Sequence, residues 1–390
     1  MTKIHPVYSE TITAILTAIF VQEEDAAIIQ KIVLSNKKLG SKDRKFITEN
    51  SYELIRYWRK WTHIFTTVSD KKQEDWEIKE LVSFFLQQKY FPNETISQLE
   101  KETSDEVIVH ESYPDWFYTT IADSAVDASY FKNSNLPAYL TIRINTTKTT
   151  LDHVQKILTK QEIAYFYNKD YPTALFLEKH VSLKDNALYV NGLIEIQDAG
   201  SQLIAPLVQA TPEHSILDAC AGAGGKTLHI ADIMGNKGRI VATDIYVQKL
   251  EELQKRADRG GYKIIQLALT DEKFLKKHAN RFDRILLDVP CSGTGTLKRN
   301  PVIKWKLKEE HLTQVIQKQT EILQNYSKLL APNGRLVYAT CSVLKQENQG
   351  IINDFLSKNK NFSLVSERSI PVSELTDGFY TACILKNNVL

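Results

Sequence analysis

The first part of the chain repeats apolar residues at the spacing of an α-helix. Between residues 8 and 20 they recur three and four positions apart. The positions are Ile12, Ile15, Leu16, Ile19 and Phe20. The same spacing predicts further helices over residues 25–34, 41–61 and 76–86. No useful stretch of alternating apolar and polar residues interrupts them, so residues 1–130 are predicted to form a helical bundle.

From residue 131 to residue 200 the pattern changes to short strands around one helix. Apolar and β-branched residues predict strands at Ala138–Ile144 and Ala174–Leu177. The segment Leu151–Gln161 between them has the apolar spacing of a short helix. We therefore predict a small α+β module over residues 131–200.

From residue 201 to residue 390, predicted strands and helices alternate. The strands are expected at residues 216–217, 239–243, 264–269, 284–287 and 335–339, and the helices from 227, over 247–258 and over 312–330. A final strand at 379–385 is expected to run antiparallel. This alternation predicts an α/β fold with a doubly wound, mostly parallel sheet. Ligands bind such sheets at the carboxyl ends of the strands.

Composition limits the class of protein. A chain of 390 residues has room for two or three domains, and 43% hydrophobic with 25% charged residues is ordinary for a globular protein. The longest early apolar stretch, residues 12–21, is too short to cross a bilayer, and no basic segment precedes it as in a signal peptide. Four cysteines make no disulfide framework. We therefore expect a cytoplasmic protein without membrane contact.

A glycine-rich turn, Asp218–Thr227, joins a predicted strand to a predicted helix. It is not a P-loop, because Cys220 stands where the first glycine of that motif belongs. It also lacks the dinucleotide-binding pattern, because Thr227 replaces the third glycine. What remains is a tight turn where the backbone can approach a ligand closely.

Acidic residues follow the next two predicted strands. Asp244 lies 19 residues after Gly225, where an acid accepts the two hydroxyls of a ribose. Asp271 follows the third strand, where it could accept from an adenine amino group. Taken singly, each acid is more simply a turn residue. After a glycine turn, the two together favour an adenosine ligand without a pyrophosphate, and S-adenosylmethionine fits that description.

Two cysteine motifs at predicted strand ends indicate covalent chemistry. Cys291 lies in Asp288–Gly293 and Cys341 in Thr340–Ser342, and a thiolate is a strong nucleophile near neutral pH. The alternative is that they are buried structural cysteines, which is how we interpret Cys383 in its apolar run. The flanking proline, serine and glycine favour catalysis. The cysteine spacings do not supply the close pairs of a zinc site, so no metal is expected.

A basic segment follows the first cysteine motif. Around Trp305 it carries Lys298, Arg299, Lys304, Lys306 and Lys308. The formal net charge of the chain is only +2, so overall charge does not indicate nucleic acid. The segment is either a solvated surface or a surface that binds phosphates. Because it lies beside the cysteine motif, the two interpretations are equally favoured.

Together these motifs resemble the RsmB/NOP family (Sun or Fmu type) of RNA 5-methylcytosine methyltransferases, over most of the chain. The glycine turn resembles the family's cofactor loop, with Gly222-Ala223 where Ala-Pro is usual. Asp288–Gly295, with Val289 for the commoner alanine, and Tyr338–Ser342 resemble its fourth and sixth motifs. Supporting segments are Arg143–Lys148, Gln197–Gln202 and Asp377–Tyr380, and Asp43–Phe46 with Tyr52 and Arg56 is similar to a NusB-like domain.

The resemblance implies three domains and a set of binding residues. Residues 201–390 would form a Rossmann-like class I methyltransferase domain, 131–200 a small RNA-binding module and 1–130 a NusB-like RNA-binding domain. The implied S-adenosylmethionine contacts are Cys220, Ala221, Gly222, Ala223, Gly224, Gly225, Lys226, Asp244, Asp271 and Asp288. The implied RNA contacts are Arg143, Asn145, Lys298, Arg299 and Lys304.

The resemblance also implies the catalytic roles. Cys341 would attack carbon 6 of cytosine, and Cys291 would assist proton removal and product release. Asp288 would bond the cytosine edge near nitrogen 3, with Lys226 beside it. The target base must leave its helix to reach Cys341, and Trp305, Tyr338 and Phe379 are unassigned candidates for stacking on it.

Four hypotheses for function follow. The leading one is methylation of cytosine carbon 5 in RNA, with 16S ribosomal RNA as substrate and a monomeric enzyme. Transfer RNA is the nearest alternative substrate. A non-enzymatic RNA-binding assembly factor is disfavoured because both cysteines and all three strand-end acids are intact. A small-molecule methyltransferase is disfavoured by the basic segment and by the two accessory modules.

Overall fold

The protein is described from a computed structural model that covers residues 4–72, 75–102, 107–124, 126–179 and 181–387. The chain divides into two compact units. The first contains residues 1–136 and 297–308, and the second contains residues 137–296 and 309–390. The division into three domains at residues 130 and 200 stays a prediction.

The first unit is helical, as predicted. Its helices are α1 Pro6–Phe20, α2 Ala27–Ser35, α3 Ser41–Arg56, α4 Trp58–Ser69, α5 Ile78–Tyr90, α6 Glu94–Glu102, α7 Val107–His110, α8 Asp115–Asp123 and α9 Ser129–Asn133. The single helix predicted over residues 41–61 is two helices, because the backbone leaves helical geometry at Tyr57 (φ −113°, ψ 31°). The start of α3 is capped by Asp43, whose Oδ2 accepts from the Gly40 N–H at 2.8 Å.

A distant segment completes the core of this helical unit. Residues 297–308 contain the short helix α16, Ile303–Lys306. Val302 is buried within the core of the bundle, and Trp305 packs against it. The Trp305 indole Nε1 donates to the Ile55 carbonyl at 2.7 Å. The segment after the first cysteine motif therefore folds as part of the helical unit.

The second unit contains two sheets, of which the smaller has four antiparallel strands. Their order is β2-β3-β1-β4, and their bounds are β1 Leu140–Ile144, β2 Tyr165–Phe166, β3 Ala174–Leu177 and β4 Ile194–Ile196. The helices of this part are α10 Leu151–Lys160 and α11 Ala187–Val190. The predicted strands and helix are present, whereas β2 and β4 are too short to make an alternating sequence pattern.

The larger sheet has seven strands in the order β10-β11-β9-β8-β5-β6-β7. The strands are β5 Ser215–Asp218, β6 Arg239–Asp244, β7 Ile265–Leu269, β8 Phe282–Asp288, β9 Leu330–Thr340, β10 Phe362–Ile370 and β11 Phe379–Lys386. The helices are α12 Ala199–Gln202, α13 Gly225–Ile233, α14 Val247–Gly260, α15 Glu272–Lys277, α17 Glu309–Tyr326 and α18 Gln349–Lys358. Buried apolar clusters line both faces of this sheet.

This sheet confirms the predicted doubly wound, Rossmann-like fold. Strands β5 to β9 pair in parallel, and β11 returns antiparallel to β9 as expected. Strand β10 was not predicted, because it forms the sheet edge and its residues between Leu364 and Ser369 are largely exposed, without an apolar repeat. The predicted helix 312–330 ends at Tyr326, and Leu330 already belongs to β9.

The strand order places the site. The chain leaves β5 towards β6 and β7 on one side, then crosses to β8 and β9 on the other. The loops after β5 and β8 therefore start from neighbouring strand ends at the point where the order reverses, which is where such sheets bind ligands. Among the described residues, no helix is long and apolar enough to span a membrane.

Candidate functional site

The glycine turn after β5 is held between the ends of two strands. The Ala221 N–H donates to the Thr243 carbonyl of β6 at 2.9 Å, and the Thr243 hydroxyl donates to the Ala219 carbonyl at 3.0 Å. Gly222 has a φ of +53°, which L side chains rarely adopt, and a Cβ there would project into open space. The turn therefore leaves a backbone-lined space at the carboxyl end of the sheet.

Two predicted cofactor acids lie at the expected strand ends. Asp244, half-buried, accepts from the Gly222 N–H at 2.9 Å through Oδ2 and from the Tyr246 N–H at 2.9 Å through Oδ1. A carboxylate has about four acceptor positions, so each oxygen of Asp244 keeps one for a ribose hydroxyl. Asp271 caps α15 by accepting from the Phe274 N–H at 2.7 Å, and its side chain is exposed. Its contact with adenine stays a prediction.

A buried acid at the end of β5 is incompletely satisfied. The Asp218 carboxyl accepts from the Thr227 hydroxyl at 2.6 Å through Oδ2, while buried Oδ1 has no hydrogen-bond partner among the described residues. Burial raises the pKa of Asp218 to about 7. Burial also raises the pKa of the Cys220 thiol, which makes Cys220 a poor nucleophile. The open turn, the spare acceptors of Asp244 and this orphaned oxygen fit a ligand with ribose hydroxyls and an ammonium group, as in S-adenosylmethionine.

An ion pair connects the glycine turn to the first cysteine motif. The Lys226 Nζ, on the first turn of α13, lies 2.6 Å from Asp288 Oδ2 at the end of β8. Although burial acts to lower the pKa of Lys226, the Asp288 carboxylate and the nearby Cys341 raise it above its usual value. Lys226 is therefore a fixed cation between the cofactor turn and the cysteines.

The two motif cysteines are in contact. The Cys291 Sγ lies 3.2 Å from the Cys341 Sγ, and both side chains are partly exposed. This hydrogen bond, together with burial, raises the pKa of the Cys291 thiol well above its usual range. In a pair this close, the first proton lost makes the second harder to remove. Cys383, by contrast, is buried in β11, in line with a structural role.

Backbone contacts hold the two cysteine loops together. The Gly295 N–H donates to the Cys341 carbonyl at 2.9 Å, and the Val343 N–H donates to the Thr294 hydroxyl at 3.1 Å. A Cβ on Gly295 would lie 2.8 Å from the Cys341 carbonyl oxygen and 2.2 Å from the Gly378 carbonyl oxygen, so any larger residue there would push the first cysteine loop away from both.

Residues that the sequence did not single out support the site. Arg256 on α14 donates to the Ala223 carbonyl of the glycine turn at 2.8 Å and is paired with buried Glu195 of β4. Glu347 lies six residues after Cys341 in the chain. Its side chain is buried and contacts both cysteine loops. The only sequence signal for Glu347 was an acidic residue between a cysteine motif and a predicted helix. That signal is weak, because charged residues in loops are usually exposed to solvent.

The structure corrects two predicted RNA contacts in the small sheet. Arg143 is fully buried, with Nη1 3.4 Å from Asp232 Oδ2 on α13. Asn145 is also buried, and its Nδ2 donates to the carbonyls of Gly192 at 2.8 Å and Gly260 at 3.0 Å. Both side chains join the small sheet to the large-sheet part of the same unit, so they cannot reach a phosphate.

The structure also corrects the predicted RNA contacts of Lys298 and Lys304, because both side chains are buried in the helical unit. The Lys304 Nζ donates to Asn135 Oδ1 at 2.9 Å and to the Arg56 carbonyl, and it lies 4.4 Å from the centroid of the Tyr113 ring. Burial lowers the pKa of Lys304 well below its usual value. Arg299 is exposed, and its RNA contact stays a prediction.

Replacing Lys304 is therefore expected to affect stability. Lys304→Ala should lower the free energy of unfolding by about 3 kcal/mol, since it leaves buried acceptors unpaired and opens a cavity. The matched control is Arg299→Ala, which should leave stability within about 0.5 kcal/mol and lower the slope of log RNA affinity against log salt by about one. Chemical denaturation and salt titrations measure the two effects. A Lys304→Ala protein of unchanged stability and reduced salt slope would restore the phosphate-binding interpretation.

Two further expectations concern stacking and metals. Tyr338 is fully buried and its hydroxyl donates to the Glu347 carbonyl at 2.8 Å. Phe379 is almost fully buried, and its ring centroid lies 5.7 Å from Lys226 Nζ. Neither exposes a ring face on which a base could stack.

Within the described ranges, no group of three or more histidine, cysteine or acidic side chains could hold a metal ion.

Comparison with known proteins identifies relatives of this chain. Residues 205–384 match the family described as 16S rRNA methyltransferase RsmB/F, and residues 113–184 match the Methyltr_RsmF/B-like ferredoxin-like domain. The chain is 32% identical over 327 residues to Ribosomal RNA small subunit methyltransferase B of Salmonella paratyphi C (strain RKS4594), over 80% of this chain and 74% of that protein.

Solved structures share the fold at lower sequence identity. The crystal structure of PH0851 has a TM-score of 0.77 at 22% identity and covers 99% of this chain and 100% of its own. The crystal structure of NSun6 from Pyrococcus horikoshii with SFG has a TM-score of 0.64 at 19% identity, over 71% of this chain and 99% of its own.

Proposed function

Because the chain belongs to the 16S rRNA methyltransferase RsmB/F family, we propose that it methylates carbon 5 of a cytosine in 16S ribosomal RNA. The observation that carries this proposal is the contact between Cys291 and Cys341, 3.2 Å apart beside the Lys226–Asp288 pair. Carbon 5 of cytosine is a poor nucleophile, and a thiol that adds to carbon 6 is the chemistry that activates it.

The methyl donor is S-adenosylmethionine, which supplies an electrophilic methyl group on a sulfonium sulfur. Residues of the glycine turn, Cys220 to Lys226, would hold it by backbone groups, since the turn is open at Gly222. Asp244 would accept from the ribose hydroxyls, and Asp271 would accept from the adenine amino group. Asp288, which is paired with Lys226 of the turn, would contact the donor as well.

Cys341 is proposed as the nucleophile. Its thiolate would form a bond to carbon 6 of cytosine, and the electron pair of the 5,6 double bond would then be available at carbon 5. The Lys226 cation, fixed by Asp288, would stabilise negative charge that develops at this site. Asp288, held by Lys226, would bond the cytosine edge near nitrogen 3 while the adduct exists.

Cys291 is proposed to act after methylation. Carbon 5 must lose its proton, and the electron pair of that carbon–hydrogen bond must re-form the 5,6 double bond. The bond from Cys341 to carbon 6 must then break, so that the sulfur leaves as a thiolate. Cys291 contacts the Cys341 sulfur and would assist this proton removal and release. The raised pKa of Cys291 disfavours Cys291 itself as the first nucleophile.

The test is bisulfite sequencing of total RNA from cells with and without the gene. One cytosine of small-subunit ribosomal RNA should lose its resistance to conversion in the deleted strain, and a plasmid copy should restore it. A matched copy that carries Cys341→Ala should not. A lost site in transfer RNA would support the alternative substrate, and no lost site would contradict cytosine-5 methylation. A cytoplasmic location and a monomeric state stay predictions.

A further inference from the structure

A single buried carboxylate accepts hydrogen bonds from both cysteine loops. Glu347 has no exposed surface. Its Oε1 accepts from the Ser292 N–H at 2.8 Å and from Gln319 Nε2 at 2.9 Å. Its Oε2 accepts from the hydroxyls of Ser292 and Ser342. Four donors therefore occupy the four acceptor positions of one carboxylate.

The two serines that it binds are the residues directly after the cysteines. Ser292 follows Cys291 in the loop after β8, and Ser342 follows Cys341 in the loop after β9. The two hydroxyls are also 3.2 Å from each other. A shift of the carboxylate would therefore move both cysteine loops. Loss of the carboxylate would remove the charged acceptor of the buried Ser342 hydroxyl and of the half-buried Ser292 hydroxyl.

Glu347 is itself held from two further elements, through its carboxylate and through its backbone carbonyl. Gln319 of α17 donates both to Glu347 and to the Pro290 carbonyl at 2.9 Å, so it ties the carboxylate to the residue before Cys291. On the other side, Tyr338 of β9 donates to the Glu347 carbonyl at 2.8 Å. Neighbouring Asn348 donates to the Ser342 carbonyl at 2.9 Å and accepts from the Thr340 hydroxyl at 2.6 Å.

We propose that Glu347 is a positioning residue that holds Cys291 against Cys341. It touches neither thiol through a hydrogen bond and acts through Ser292 and Ser342. Contact between the thiols is what allows the second cysteine to act on an adduct formed by the first, so this inference rests on the proposed function. The charge of Glu347 also contributes to the raised pKa of Cys291, after the contact with Cys341 and burial.

The first test measures the geometry of the thiol pair without RNA or methyl donor. Diamide takes two electrons and two protons from a pair of thiols and leaves a disulfide, and the rate depends on how close the thiols are. Mass spectrometry of unreduced peptides would follow the link from Cys291 to Cys341. In the Glu347→Ala protein this link should form about tenfold to a hundredfold more slowly than in the unaltered protein, because the loops lose their common acceptor.

Two further variants separate positioning from stability and from charge. Asp232→Asn alters another buried carboxylate of the same unit, bound by Arg143, Thr146 and Thr147, and should not change the rate of the link. Glu347→Gln keeps an acceptor for the Ser292 N–H and offers an amide to the two hydroxyls, so it should retain the maximal rate of the link, reached at high pH. Because it removes a negative charge, it should shift the pH profile of the link to lower pH.

The second test uses the full reaction. Glu347→Ala should lower turnover and increase the fraction of protein that is trapped with RNA on denaturing gels, while Glu347→Gln should restore most of the turnover. A loss of folded protein alone would lower turnover without trapping. If Glu347→Ala forms the link at the unaltered rate and traps no RNA, the positioning role is wrong even where methylation is intact. If the link rates differ as expected but deletion of the gene removes no methylated cytosine, the proposed function is contradicted and the positioning role of Glu347 stands.

Discussion

Cys341→Ala is expected to lower the rate of methylation by about four orders of magnitude or more, and to form no covalent protein–RNA species. Cys291→Ala should still attack and methylate but fail to release, so that a protein–RNA adduct persists on denaturing gels. The physical reason is chemical order. One thiol begins the reaction, and the other is needed only once carbon 5 has been methylated.

Cys383→Ala is the matched control for both cysteine variants. Cys383 is buried in β11, and its replacement should leave methylation unchanged apart from a modest loss of stability. If Cys341→Ala traps RNA and Cys291→Ala is inert, the two roles are exchanged. Activity in both single variants would contradict the covalent mechanism. The measurements are methyl incorporation from labelled donor and gel analysis of the trapped species.

Asp244→Ala is expected to weaken the binding of S-adenosylmethionine by about 10- to 100-fold. A carboxylate that accepts from a pair of hydroxyls contributes about 1.5–3 kcal/mol, and each 1.4 kcal/mol is a factor of ten in affinity. The variant also loses the acceptor of the Gly222 N–H, so the glycine turn becomes less well ordered. Isothermal titration calorimetry would measure the change.

Asp244→Asn and Glu251→Ala are the controls for that experiment. Asparagine keeps one acceptor oxygen and should give an intermediate affinity. Glu251 is an exposed acid on the nearby helix α14, and its replacement should leave the affinity unaltered. Unchanged affinity in a folded Asp244→Ala protein would remove Asp244 from the cofactor site.

The RNA contacts show where sequence reasoning reached its limit. Lys298 and Lys304 stand in a basic segment beside a cysteine motif, and such segments commonly face phosphates. Their side chains are buried, because residues 297–308 fold into the helical unit and not into the sheet that precedes them in the chain. Burial depends on contacts with residues as distant as Arg56 and Asn135, which no local pattern reports.

The amino-acid sequence by itself determined the doubly wound sheet and the residues at its strand ends. Apolar runs that end at Asp218, Asp244 and Asp288 specify the strands, and parallel pairing brings their carboxyl ends to one edge whatever the rest of the chain does. Local periodicity is enough for such elements, because each strand and each turn is encoded by adjacent residues.

Only the tertiary structure decided how close the two cysteines lie and what holds them. The 3.2 Å contact between Cys291 and Cys341 depends on the register of β8 against β9 and on the hydrogen bonds that Ser292 and Ser342 donate to Glu347. Distances of this kind are set by groups far apart in the chain, which meet only once the core has packed. A sequence pattern records which residues are present, whereas packing decides which of them touch.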